Sequence, residues 1–406
     1  MLSYLFLAFV LLAGVNGEWP DYDFEDVFEI TFDPDILHNV SQLISSKGYP
    51  VEDHVVQTED GFLLSVQHIP HGKKGCDRHQ GSKEVVFLQH GLLSASSDWV
   101  INFPNESLGF LLADAGYDVW LGNIRGNTYS RRHIKYSPHS DEFWDYSFAE
   151  MGYYDLPAMI DYILNQTGQK QLSYIGHSQG TTSCFAMLSE KTEYNQKIKV
   201  FIALAPVTTV GYITSPIRYL APFTNEFAFL ARIIGVREFL PSNALMKFLS
   251  EYVCDTFERW ICKDVMFLLF GRDFQELNVT RIGVYSAHTP AGSSTKSVLH
   301  YAQLVDSGKF GKYDYGKRGN IKRYGQDTPP QYDLTKITAP VALMWSLNDE
   351  LGDPVDVGLL IPKLKSLIEV YEVPAPLFNH GDFVLALHAK TLLYDEVMKV
   401  LRKYAV

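Results

Sequence analysis

The tightest constraint on how this 406-residue chain can fold is a pentapeptide, Gly176-His177-Ser178-Gln179-Gly180. A strand-like run, 171–175 (QLSYI), leads into it, and a small-residue segment able to open a helix, 181–188, leads out. A serine two residues from a glycine on each side, at a strand-to-helix junction, forms a sharp and strained turn. That turn lifts the hydroxyl above the end of a sheet. Side chains at 176 and 180 would collide with the neighbouring strand and helix, which is why glycine is needed there. Alone the pentapeptide is a weak pattern, and its flanks give it weight.

Other runs extend the pattern. The segments 54–58 and 62–69 are split by Glu59-Asp60-Gly61, and Asp-Gly between two apolar runs signals a hairpin. Strand-like runs follow at 84–89, 117–121, 199–205, 340–345 and 367–373. Between them, 155–166 places Leu156, Met159, Ile160 and Ile163 on one helical face. Strands alternating with helices predict an α/β fold, with a mostly parallel central sheet covered by helices on both faces. Between about 209 and 333 the rhythm breaks. Apolar, helical-looking stretches lie at 227–235 and 244–254, and 308–326 is Gly-rich, basic and loop-like. We therefore expect a helical cap at 209–333 inserted into a core made of 18–208 and 334–406.

Residues 1–17 hold an apolar run too short to span a bilayer, ending in small residues, Val15 and Gly17. They read as a signal peptide, leading to the secretory pathway and an extracellular or lysosomal destination. No later apolar run is long enough for a transmembrane segment. In that compartment Asn39, Asn105, Asn165 and Asn278 are candidate glycosylation sites. Of four cysteines, Cys254 and Cys262 are close in sequence and are the first candidates for a disulfide. Cys184 reads as a free core thiol. The formal net charge of −12, with no basic block, argues against nucleic acid as a partner.

A serine hydroxyl is a poor nucleophile until a base takes its proton. On a sheet of this kind the partners follow in the order acid, then histidine. His380 sits in Phe378-Asn379-His380-Gly381-Asp382, a loop after the last strand-like run. His388 is its nearest rival but falls in a helical-looking stretch, 384–393; His90 and His177 adjoin motifs at positions unsuited to a base. The acid belongs after 340–345, where Asp349 comes first, with Glu350, Asp353 and Asp356 as rivals in the same loop. Two backbone N–H groups should meet the developing negative charge. The candidates are those of Gln179, after the serine, and Leu92, in the His90-Gly91-Leu92-Leu93 segment that follows 84–89.

With those residues placed, the chain resembles the acid lipase family of α/β-hydrolases over nearly its whole length. The matching segments include YPVEDHVVQTEDGFLL at 49–64, DVWLGNIRGNTYSRRH at 118–133, GQKQLSYIGHSQGTT at 168–182, HTPAGSS at 288–294 and FNHGDF at 378–383. The resemblance implies the α/β-hydrolase fold with Ser178 as nucleophile, Asp349 as acid, His380 as base, and Leu92 and Gln179 as oxyanion donors. It also implies a Cys254–Cys262 disulfide, and Phe270 stands where the family usually has a further cysteine. Gly352, Gly381 and Leu385 depart from the family's usual residues. The implied reaction is hydrolysis of triacylglycerols or sterol esters at a lipid–water interface, with no metal or organic cofactor. A soluble short-chain carboxylesterase and an inert lipid-binding protein on the same fold are the alternatives.

Overall fold

The computed structural model describes residues 33–75, 83–215, 218, 237–240, 273 and 275–404. The expected leader, Cys76, the stretches 227–235 and 244–254, Phe270 and the expected Cys254–Cys262 pair lie outside the described residues. Cys184 is a free, buried thiol.

The strands, in chain order, are β1 (Glu52–Gln57), β2 (Phe62–Ile69), β3 (Val85–Gln89), β4 (Asp118–Gly122), β5 (Arg132–His133), β6 (Leu172–His177), β7 (Ile198–Leu204), β8 (Glu238–Phe239), β9 (Ser293–Ser294), β10 (Val341–Trp345) and β11 (Leu367–Glu372). One large sheet runs in the order β1-β2-β4-β3-β6-β7-β10-β11, with β5 added against β2. From β4 to β11 all neighbours are parallel, while β1 and β2 run antiparallel at one edge. This is the α/β-hydrolase architecture expected from the sequence. The expected strands lie within two residues of those observed.

Those strands read as continuous apolar runs because both faces are buried. Alternate residues feed two separate cores. Val86, Leu88, Ile175, Ile202 and Met344 face one, and Phe87, Tyr174, Phe201, Ala203 and Leu343 face the other. The helix Leu156–Thr167 packs Leu156, Met159, Ile160 and Ile163 into the second core. It ends at Gly168, whose φ of 67° supplies the left-handed turn that stops a helix. The helix Gln179–Glu190 lies against the same face, and the helix Asp395–Tyr404 covers the first.

The stretch 308–326 departs from its loop-like reading, because a helix spans Gly316–Tyr324. Asn320 ties its start by accepting from the Tyr315 N–H and donating to Asp314. Lys322 and Arg323 sit at its C-terminal end, where the helix dipole favours cations, and Gly325 closes it at φ 73°. The stretch 384–393 is likewise not one helix. A short helix, Asp382–Leu385, stops where Ala386 bridges Leu277 and the Leu387 N–H bonds to Glu276, so His388 stands in a turn.

Described parts of 275–332 pack directly on the sheet's cores. Tyr285 is buried in the first and hydrogen-bonded to Asn102, and Phe310 and Tyr332 are buried in the second. No helix among the described residues is long and apolar enough to cross a membrane.

Candidate active site

The turn at Ser178 has the strain that the sequence implies. Ser178 adopts φ 53°, ψ −119°, outside the regions open to most L-residues. The two flanking glycines are sterically required. A Cβ on Gly176 would meet the Gly180 carbonyl carbon at 2.8 Å, and one on Gly180 would meet the Gln89 carbonyl oxygen at 2.4 Å. Side chains at either position would push apart β3, β6 and the following helix. Thr181 and Thr182 N–H groups bond back to the Ser178 carbonyl and lock the turn.

Ser178, His380 and Asp349 are brought together although they lie on three separate connections. The Ser178 hydroxyl is 2.8 Å from His380 Nε2, and His380 Nδ1 is 2.9 Å from both carboxylate oxygens of Asp349. Asp349 accepts at Nδ1–H, which leaves Nε2 as the acceptor for the serine proton. The Asp349 and His380 side chains are buried, whereas Ser178 is partly exposed at the mouth. Burial opposes ionisation of Asp349. The facing imidazole and the Gly352 and Leu351 amides (2.7 and 2.9 Å) outweigh it and hold the carboxyl below its usual range.

The rivals for the acid have other work. Asp353 caps the helix Pro354–Leu360 by accepting from the Val355 N–H, and Asp356 accepts from the Tyr212 N–H. Glu350 offers its backbone carbonyl to Thr214 and Ser215. His388 is exposed and bonds to Glu276. His90 and His177 are fully buried. Desolvation first of all lowers them to about 4 and about 3, which favours the neutral ring in both.

His177 also has a part that the sequence did not disclose. Its Nε2 donates to the His380 carbonyl oxygen at 3.0 Å and so pins the loop that carries the base. Asn379 and Asp382 pin the same loop from below, since Asn379 Oδ1 accepts from Gly381 and Asp382 while Asp382 accepts from Asn379 N–H. Burial, with Asp273 and Glu276 nearby, raises Asp382 well above the ordinary carboxylate range. The only signal for these residues was their nearness to the Ser178 and His380 motifs.

Gln179 is the first residue of its helix, where backbone N–H groups have no partner within the helix. Leu92 follows Gly91, which lies so close to Ser178 that an added Cβ would come within 3.1 Å of the serine Cβ. Gln179 thus adjoins Ser178 in the chain, and Leu92 adjoins it through Gly91. Of the glycosylation candidates, Asn39, Asn105 and Asn165 are exposed; Asn278 is half-buried, its side chain accepting from Thr280.

A hydroxyl, an imidazole and a buried carboxylate in one hydrogen-bonded line, beside a helix N-terminus, make up the machinery for acyl transfer. The comparisons agree with that class. The family described as alpha/beta hydrolase fold matches residues 84–380, and a partial alpha/beta-hydrolase lipase region matches residues 40–103. A Sulfolobus solfataricus structure assigned as a lipase has a TM-score of 0.56 at 12% identity, covering 87% of this chain and 99% of that one. Relatives in sequence are closer. Bovine gastric triacylglycerol lipase is 48% identical over 92% of this chain and 93% of its own length. Human lysosomal acid lipase/cholesteryl ester hydrolase is 44% identical over 92% of each. The chain belongs to the acid lipase family of α/β-hydrolases.

Proposed function

We propose that the chain is a serine lipase of the secretory pathway that hydrolyses neutral lipid esters, triacylglycerols or sterol esters, at a lipid–water interface. The observation that carries this reading is the line from Ser178 through His380 to Asp349, with links of 2.8 and 2.9 Å. Ser178 Oγ attacks the ester carbonyl as its proton passes to His380 Nε2. Asp349 orients the ring and stabilises the imidazolium. The N–H groups of Leu92 and Gln179 receive the negative charge on the carbonyl oxygen, each worth about 3–4 kcal/mol in sites of this kind. His380 returns the proton to the leaving alcohol, and water then releases the fatty acid from Ser178 by the same steps in reverse. Residues 18–208 and 334–406 form the catalytic core and 209–333 the cap that shapes its entrance. The secretory leader, the extracellular or lysosomal destination and the Cys254–Cys262 bridge belong to the same reading.

The test compares emulsified triolein and cholesteryl oleate with a soluble butyrate ester, each followed through its solubility limit. The lipase reading expects the rate to climb once an interface forms. Turnover of the soluble ester alone, with no climb, would make the protein a short-chain esterase.

A further inference from the structure

The hairpin at the sheet's antiparallel edge brings together a second group of chemistry-bearing side chains. Glu52 on β1 lies directly opposite His68 on β2, and His54 follows Glu52 by two residues on the same face. Glu52 Oε2, His54 Nε2 and His68 Nδ1 converge, with Oε2 3.1 Å from Nδ1 and 3.6 Å from Nε2. They line a recess of about 300 Å³ with Asp118, Trp120 and Lys83, whose ammonium is bonded to the Pro70 carbonyl. Asp118 is the first residue of β4, whereas Ser178 follows the last residue of β6. The recess therefore lies at the opposite end of the parallel strands from the catalytic line.

Three ligand atoms of this cluster face one point, and a carboxylate stands behind one of them. Asp118 Oδ1 is 2.5 Å from His68 Nε2, and a carboxylate only accepts, so Nε2 carries the hydrogen. His68 Nδ1 is turned to a second carboxylate oxygen, that of Glu52, at 3.1 Å. His54 Nδ1 is paired with the Tyr162 hydroxyl, and its Nε2 is buried and lies 3.6 Å from the same Glu52 oxygen. The three atoms are close enough for one divalent ion to take all of them as ligands.

Two imidazole nitrogens and a carboxylate form a donor set suited to zinc. Zinc–ligand bonds near 2.0–2.1 Å at tetrahedral angles place ligand atoms about 3.3 Å apart; Glu52 Oε2 lies 3.1 and 3.6 Å from the two ring nitrogens, and all three atoms lie within 4.8 Å of one another. The surroundings are those of a metal site too. Asp118 holds the far nitrogen of His68, and Trp120 Nε1–H in turn holds Asp118 at 3.0 Å. The His68 ring is stacked on Trp120 at 4.0 Å. Glu52 is the exposed member and is free to close on an arriving ion.

We propose that Glu52, His54 and His68 bind one Zn²⁺, with water as the fourth ligand and Asp118 as the carboxylate behind His68. The ion ties β1 to β2 and takes no part in ester hydrolysis. The test uses the tag-free full chain, stripped with chelator and titrated with ZnCl₂ at neutral pH. One zinc per chain is expected, with a melting temperature raised by about 2 °C or more at saturation. Glu52→Gln, at an exposed position, should fold normally, hydrolyse ester at the wild-type rate, lose zinc affinity at least about tenfold, and lose the thermal shift. His54→Gln and Asp118→Asn should weaken binding in the same direction. Failure to take up stoichiometric zinc, or retention of full affinity in both Glu52→Gln and His54→Gln, would overturn the proposal. The hydrolase reading is untouched by either outcome.

Discussion

His380–Asp349 and His68–Asp118 are two histidine–carboxylate pairs set at opposite ends of one sheet. In each, a carboxylate fixes the tautomer by accepting one ring N–H. They differ in what the other nitrogen meets. His380 Nε2 faces the Ser178 hydroxyl, which has a proton to give. His68 Nδ1 faces Glu52, which has none. The same pairing serves a base in one place and, in the site we propose, a cation ligand in the other. Burial sharpens the difference. Asp349 is sealed inside and held by two backbone amides, while Glu52 reaches into solvent.

The largest effect expected from this contrast comes from removing the acceptor at the buried pair. Asp349→Asn leaves the shape but lets His380 carry its proton on the wrong nitrogen. Turnover should fall about 10⁴-fold. The matching change at the other pair, Asp118→Asn, should leave turnover within twofold, roughly the scatter of such assays for a remote site. Steady-state kinetics on one short ester substrate measure both, and equal losses would break the distinction.

A smaller effect comes from a histidine sealed in the core. His300 is stacked on Phe148, and its ring nitrogens lie within 3.0 Å of the Ser147 hydroxyl and the Gly311 carbonyl. Desolvation lowers its pKa to about 3 from an ordinary 6.5. Between those values the unfolded chain binds more protons than the folded one. The contribution is thus complete above about pH 6.5 and shrinks as the pH falls toward 3. At pH 5 the group alone costs about 2 kcal/mol of stability. Denaturation of His300→Gln should lose less stability between pH 7 and pH 5 than wild type does, by about that amount. Asp98, which burial raises to about 7, has the opposite sign and gains on acidification, so only the difference in slope between the two proteins is diagnostic. Equal slopes would mean that His300 is not sealed.

The central strands could be read from the sequence because burial on both faces leaves uninterrupted apolar runs, and the elbow because its glycines are sterically forced. The acid was harder to place. Asp349, Glu350, Asp353 and Asp356 share one loop. What separates them is the bond to His380 and the amides of Leu351 and Gly352, which only the folded loop supplies. The helix Gly316–Tyr324 was hidden by Gly316, Gly319 and Asn320: Gly316 opens it at φ 72°, Asn320 ties its start, and Gly319 lies close against Tyr315. The Glu52–His54–His68 group was missed because its members are joined by strand register. The Asp60-Gly61 hairpin and the two-residue strand period already contained that register.

The central claim is that Ser178 attacks the ester under the control of His380 and Asp349. Labelling with a long-chain fluorophosphonate, read by intact mass and peptide mapping, tests it most directly. The account predicts one label per chain, on Ser178, with hydrolysis lost in proportion and labelling slowed in Asp349→Asn. A label on another residue that tracks the loss of hydrolysis, or hydrolysis that persists in Ser178→Ala, would contradict it.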